Sequence, residues 1–344
     1  MHATTLETPT APTTVLAADT MKAIVQDRYG SSEVLELRNV DKPAIGDHDV
    51  LVRVCAAAVN PGDSAIMSGL PYIARPAALY GLRRPKNPIR GTDVAGHVEA
   101  VGAGVTRFRP GDKVFGWCRG AFAEYASASE YGLALKPSNI SFEQAAALPM
   151  AGSVALQALR DHGKVQAGQR ILINGASGGI GTFAVQIAKS LGADVTGVCS
   201  TPNVDLVRSI GADHVIDYAH EDFTRQGEHY DFILDNAANT PLSSLRRVLT
   251  PAGMLVPNGG GFGNRWFASA GRLMSAMVSF RFVSQRLGRF LVAKQHEDLT
   301  ILKDLVEAGE LTPVIGRTYP LDETPQAMDY VATGHARGKV VISV

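Results

Sequence analysis

From residue 21 to about residue 140 the apolar positions come in short runs broken by Gly and Pro. Met21-Lys22-Ala23-Ile24-Val25 is one run, and Asp49-Val50-Leu51-Val52-Arg53-Val54 is a β-branched one. Ala95-Gly96-His97-Val98-Glu99-Ala100-Val101 is a third. Turn residues separate them, as at Asn60-Pro61-Gly62 and Arg109-Pro110-Gly111-Asp112. Short strands at this spacing predict a compact, barrel-like β domain.

The rhythm changes after Ser141. Ser141-Phe142-Glu143-Gln144 has the form of an N-cap and first turn, and a helix is predicted over residues 145–159. Strands at 170–174, 194–199, 214–216 and 231–234 then alternate with helices at 182–189 and 204–210. This alternation predicts an α/β unit, a doubly wound parallel sheet covered by helices. Another helix is expected at 298–308. Lys339-Val340-Val341-Ile342-Ser343-Val344 is expected to be a final strand packing back onto the first domain. The division expected is 21–145 with a return of 285–344, and 146–284 as the parallel-sheet domain.

Composition narrows the class. A chain of 344 residues is long enough for two domains, and 45% hydrophobic with 19% charged residues fits a folded globular protein. A formal net charge of zero gives no electrostatic reason to expect nucleic acid. No apolar run approaches the roughly 20 residues of a membrane span. Cys55, Cys118 and Cys199 are far apart and form no CxxC pair, so a reducing, cytoplasmic setting is the default. Residues 1–20 are rich in Thr, Ala and Pro and contain no Lys or Arg, unlike a transit peptide. They are expected to be a disordered tail, with a second start at Met21 compatible with that reading.

The most informative stretch is Ile173-Asn174-Gly175-Ala176-Ser177-Gly178-Gly179-Ile180-Gly181. A strand ends, the backbone turns on small residues, and a helix begins. Free N–H groups at such a helix start complement a pyrophosphate. Ala176 stands where the usual pattern has its first Gly, but the strand before and the helix after supply the context. The following strand ends at Cys199-Ser200-Thr201-Pro202-Asn203. A site for NAD places Asp or Glu there for the ribose 2′-OH. Here the tip carries Ser200, Thr201 and Asn203, Asp194 is at the other end of the strand, and Asp205 is already in the next helix. NADPH is therefore expected over NADH.

The chain resembles the medium-chain dehydrogenase/reductase superfamily, and within it the zinc-free, zeta-crystallin-like quinone oxidoreductase branch. The resemblance runs over Asn60-Pro61-Gly62-Asp63, Gly91-Thr92-Asp93-Val94-Ala95-Gly96, Phe108-Arg109-Pro110-Gly111-Asp112-Lys113-Val114, Gly120-Ala121-Phe122-Ala123-Glu124-Tyr125, the glycine loop, Gly211-Ala212-Asp213-His214-Val215-Ile216-Asp217-Tyr218, and Gly338-Lys339-Val340-Val341. It implies a GroES-like β-barrel-type domain, a Rossmann domain, and a cofactor cleft between them. By this resemblance Ser177, Gly178, Gly179, Ile180 and Gly181 form the phosphate loop. Ser200 and Tyr218 fall at the 2′-phosphate, and Asn258 and Gly259 fall beside the nicotinamide. His335, Ala336 and Arg337 fall on a stretch that closes over the cofactor. The position of a Thr near the carboxamide is taken by Val154, beside Ser153. A homodimer is the family habit.

Zinc enzymes of this superfamily use Cys, a His-Glu pair and a further Cys or acid. Asn60, Thr92 and Asp93 stand at those positions, a poor set for a nitrogen–sulfur tetrahedral site. No metal site is expected. Hydride addition to a quinone or an enone spreads charge over a conjugated system and needs less help than an alkoxide does. A small electrophilic molecule is the expected substrate, and Asn60 is the expected catalytic residue. Asp63 is a secondary candidate. Tyr72 and Tyr80 sit in a 69–90 insert expected to shape the pocket or form a lid. Two other functions fit the same fold: reduction of a specialised metabolite, and a non-catalytic cofactor-binding role. A third reading, a membrane-surface helix, rests on Arg265, Arg272, Arg281, Arg286 and Arg289 interleaved with Trp266, Phe267, Met274, Met277 and Phe280.

Overall fold

The computed structural model describes residues 20–76, 80–258, 270–281, 283–288 and 295–344. Residues 1–19 of the expected 1–20 tail and Gly259 lie outside the described residues, as does half of the basic and apolar stretch at 259–294, including Arg265, Trp266, Phe267 and Arg289; Thr20 is already in the first strand.

Seven strands precede the first long helical region: β1 (Thr20–Val25), β2 (Glu36–Asp41), β3 (Asp49–Val59), β4 (Asp93–Val101), β5 (Lys113–Trp117), β6 (Tyr125–Ser129) and β7 (Leu133–Leu135). Helix α1 (Pro61–Ser68) leaves β3 directly. Next come α2 (Phe142–Ala147) and α3 (Pro149–Leu156), then the alternating unit β8 (Arg170–Asn174), α4 (Gly179–Ser190), β9 (Asp194–Cys199), α5 (Val204–Ser209), β10 (His214–Asp217), β11 (Tyr230–Asp235), α6 (Leu242–Arg247) and β12 (Leu249–Pro257). The chain ends with α7 (Ala270–Phe280), β13 (Arg286–Leu287), α8 (His296–Glu307), β14 (Ile315–Pro320), α9 (Thr324–Ala332) and β15 (Lys339–Ser343).

Two large sheets result. The first has the order β14-β15-β3-β4-β5-β7, with β6 also on β3. Its pairs are antiparallel except β14–β15, and the last strand of the chain pairs with β3, Val340 opposite Val59 and Ile342 opposite Ala57. The second is a six-stranded parallel sheet in the order β10-β9-β8-β11-β12-β13. The chain winds outward from β8 to β10, then returns to β11 on the other side of β8. Ligands of such sheets bind at this reversal, outside the carboxyl ends of the strands.

The helix expected over 145–159 is broken. Ser141 caps α2 with a complete capping box: Gln144 N donates to Ser141 Oγ at 3.2 Å and Ser141 N to Gln144 Oε1 at 3.1 Å. Pro149 lacks an N–H and starts a new helix as its first residue. Residues Gln157–Gly163 then widen into a π-helical turn.

One apolar cluster joins the layers. It runs from Ala56, Ala58 and Trp117 of the first sheet through α2 and α3 to Ile171 and Phe183 of the second. Leu299, Leu302 and Val306 of α8 belong to the same cluster, and Arg286–Leu287 is a strand of the parallel sheet. The return to the first sheet therefore begins at Ile315, later than the residue 285 expected from sequence. We propose a domain division that follows the sheets, with 146–311 around the parallel one.

Candidate active site

The turn from β8 into α4 is built by sterics. Gly175 adopts φ +81°, which an L side chain rarely tolerates. A Cβ on Gly181 would stand 2.1 Å from the Gly175 carbonyl oxygen, so only glycine lets the helix start this close to the strand. Gly178 is the extended N-cap. The first N–H groups of a helix have no partner within it. Those of Gly179, Ile180 and Gly181 thus open at a loop where Ser177, Gly178, Gly179 and Ile180 are half-buried.

Beside this loop, the carboxyl ends of β8, β11 and β12 carry a cluster of amides. Asn174 Nδ2 donates to Asp235 Oδ1 at 2.8 Å, and Asn258 Nδ2 to Asn236 Oδ1 at 2.6 Å. Asn236 Nδ2 is buried and has no partner. An orphaned donor at this position costs about 1–3 kcal/mol unless a ligand meets it. The loop and the orphaned amide together fit a dinucleotide.

At the tip of β9, Asn203 Nδ2 donates to Ser200 Oγ at 3.0 Å. Tyr218 follows β10 and is 51% exposed, its N–H bonded to Cys199 O. The tip is less neutral than its own residues suggest. Asp217 pairs with Cys199 across the sheet and takes a hydrogen bond from the Thr201 side chain. That bond, first, and contacts with Ala219 N and His220 hold its carboxyl below the usual range.

The two sheets meet at the glycine loop. Gly338 N donates to Ser177 O at 2.8 Å, and Gly178 and Gly338 form an isolated bridge. His335, Ala336 and Arg337 are thus brought near the glycine loop by the chain that leads into β15. His335 and Arg337 remain exposed, with His335 Nδ1 on Thr333 O.

Lys339, the next residue, turns inward. It is 3% exposed, and its Nζ donates to Asn60 Oδ1 at 2.6 Å and to Val59 O at 3.2 Å. Asn60 Nδ2 donates to Asp93 Oδ2 at 3.0 Å, which also accepts from Met150 N at 3.3 Å. Lysine has only donors and a carboxylate only acceptors, so these two partners fix which way the amide faces. Asn60 stands at the N-cap of α1, yet its side chain is spent on Lys339 and Asp93. Asp63 closes the turn instead, accepting from Asn60 N at 2.8 Å.

The network is strongly desolvated. Burial lowers the Lys339 pKa, against the pull of Asp93 and Asp63. Burial pushes the Asp63 carboxyl up to about 7, opposed by its backbone bond to Asn60 and assisted by the Asp93 charge. Asn60 is a site candidate named from the sequence. Lys339 is not, although a lysine inside a buried β-branched run is itself a signal. Ser153 and Val154 are both buried on α3, and the Ser153 hydroxyl has no partner. Among the described residues no group of three or more His, Cys, Asp or Glu is arranged to hold a metal ion.

Comparison with known proteins gives the family. Residues 46–138 match the alcohol dehydrogenase GroES-like domain, and residues 210–342 match the zinc-binding dehydrogenase family. The mitochondrial NAD(P)H oxidoreductase RTN4IP1 of Mus musculus is 34% identical over 370 residues, covering 96% of this chain and 91% of that protein. The chain belongs to the medium-chain dehydrogenase/reductase superfamily, in its quinone oxidoreductase branch. A chloroplastic quinone-oxidoreductase homolog of Spinacia oleracea is 33% identical, covering 95% of this chain and 99% of that one. The solved quinone oxidoreductase of Coxiella burnetii superposes with a TM-score of 0.82 at 31% identity, over 94% of this chain and 99% of its own. The 2-methylene-furan-3-one reductase of Solanum lycopersicum is 33% identical, over 96% of this chain and 81% of that one. No helix among the described residues is long and apolar enough to cross a membrane.

Proposed function

We propose that this member of an NAD(P)H oxidoreductase family is an NADPH-dependent, zinc-independent reductase of quinones or activated alkenes. The observation that carries the reading is the Lys339–Asn60–Asp93 chain of hydrogen bonds set directly against the glycine loop.

Zinc does not fit these residues. Asn60, at the position of the first cysteine ligand, has its carbonyl oxygen on a buried ammonium, so a cation already occupies that side. Thr92 and Asp93 offer only oxygen donors, and Asp93 is committed to Asn60 and Met150 N.

A bound reduced nicotinamide supplies the hydride. The residues then do three things. The α4 N-terminus and the small side chains of the loop hold the pyrophosphate. Ser200, Thr201, Asn203 and Tyr218 surround the 2′ position, with the charge of Asp217 already engaged by Thr201, Ala219 N and His220. Asn60 keeps one N–H beyond the one given to Asp93. That proton is offered to a carbonyl oxygen of the acceptor, where negative charge collects as the conjugated system accepts the hydride. The nearby Lys339 charge strengthens the donor. A proton from solvent completes the reduced product.

The cytoplasmic placement rests on the spacing of Cys55, Cys118 and Cys199, which form no CxxC pair. A homodimer through the parallel sheet is supported by β13 at its edge and by Met274, Met277 and Val278 exposed on the neighbouring α7. Fluorescence titration of the purified protein with NADPH and NADH tests the cofactor assignment. NADPH binding at least ~10-fold tighter supports it. Equal affinities remove the 2′-phosphate reading, and no binding of either removes the function.

A further inference from the structure

Arg90 lies just before Gly91-Thr92-Asp93 and is 5% exposed. Its Nε and Nη2 atoms are both buried, and neither has a hydrogen-bond partner. A guanidinium with two open N–H groups in a dry site is costly unless something accepts from it.

The hydrogen bonds of its neighbours run to other groups. The charges and hydroxyls that act on it are Asp63, Tyr29 and Tyr80. Tyr29 Oη donates to Gly81 O at 2.7 Å and accepts from Gly81 N at 2.8 Å. Tyr80 Oη donates to Leu70 O at 3.2 Å. Asp63 Oδ2 is held by Asn60 N. The backbone around Arg90 is pinned as well, its carbonyl accepting from Phe122 N at 3.0 Å.

Nε and Nη2 lie on one edge of the guanidinium and present two parallel N–H bonds. That edge matches the two oxygens of a carboxylate. Two links tie it to the site described above: Asp63, which bonds Asn60, and Asp93, three residues along the chain. Tyr29 and Tyr80, whose charges act on it, are only half-buried, so the side chains near it on that side are not core.

We propose that Arg90 receives a carboxylate of the acceptor molecule, so that the preferred substrates are enones or quinones that carry an acid group. This rests on the reductase reading of the Asn60 site.

The test compares 3-benzoylacrylate with its methyl ester, at saturating NADPH, for the wild type, Arg90→Gln and Arg90→Lys. The wild type is expected to favour the acid in kcat/KM by at least ~10-fold, mostly through KM. Arg90→Gln collapses that ratio to near one, and Arg90→Lys restores part of it. A purely structural arginine would lower both substrates alike and leave the ratio unmoved. A wild type that reduces both compounds without favouring the acid overturns the proposal and leaves the reductase reading standing.

Binding of 3-phenylpropionate, which carries no reducible alkene, is measured in parallel by fluorescence. If neither alkene is reduced but this acid binds and Arg90→Gln weakens it at least ~10-fold, the arginine site stands and the enone-reductase reading falls. If the acid does not bind either, both fall.

Discussion

Replacing Lys339 by Met keeps an unbranched apolar stem and removes only the buried ammonium. Two acceptors then lose their donor, Asn60 Oδ1 and Val59 O. Asp93 and Asp63 lose the cation that faces both of them. Removing one partner from a buried charged network costs about 3 kcal/mol, toward the lower end of the usual range because the lysine was itself costly to bury. At roughly 2 °C per kcal/mol for a chain of this size, the melting temperature falls by about 6 °C. The catalytic effect is separate. Without the ammonium the Asn60 amide is held through Asp93 alone, and loosening of one aligned donor lowers kcat by ~10²-fold while the KM for NADPH changes little. Initial rates at a temperature well below both transitions measure this, with thermal melts alongside. A kcat within twofold of the wild type, together with the expected drop in melting temperature, would refute the positioning role.

Asp63→Asn tests the sign of the Asp63 shift. The folded carboxyl, near 7, binds its proton more tightly than the unfolded one, so between about pH 4 and 7 the native state holds more protons and stability falls as pH rises. The melting temperature of Asp63→Asn minus that of the wild type should therefore increase from pH 5 to pH 8, and a flat difference would count against a buried carboxyl facing Asp93, Lys339 and Arg90. Ser200→Asp places a charge at the 2′ position, and NADPH should weaken at least ~10-fold relative to NADH in a fluorescence titration. Gly181→Ala drives a Cβ to within 2.1 Å of Gly175 O, so affinity for either dinucleotide should fall more than ~10-fold while the far-ultraviolet spectrum stays that of a folded α/β chain.

The two-sheet architecture was readable because it rests on local signals. Short apolar runs, a β-branched strand and glycine turns name many of the strands, and the Gly175–Gly181 loop marks the turn from β8 into α4. Pro149 shows where a local reading ran out. It was legible as a residue near the start of one helix, but its place as the first residue of a second helix depends on how Leu148 and its neighbours pack. Lys339 shows the limit for the site. It acquires meaning only from Asn60, 279 positions earlier in the chain, and strand pairing is what joins them. Asp217 is similar. A search for an acid at the tip of β9 passes over it, because it arrives from the adjacent strand through the register that sets it opposite Cys199. Arg90 gave no periodic or spacing signal, and its open edge is visible only once its neighbours' hydrogen bonds are assigned.

The central claim is hydride delivery from NADPH to a conjugated acceptor at a site that does not use zinc. The most direct test is the initial rate of NADPH oxidation with a quinone and with an enone, each with and without a strong chelator. Turnover of at least one acceptor is expected, undiminished by the chelator and at least ~10-fold faster in kcat/KM with NADPH than with NADH. Activity abolished by the chelator and restored by zinc, or no oxidation with any acceptor despite tight NADPH binding, would contradict it.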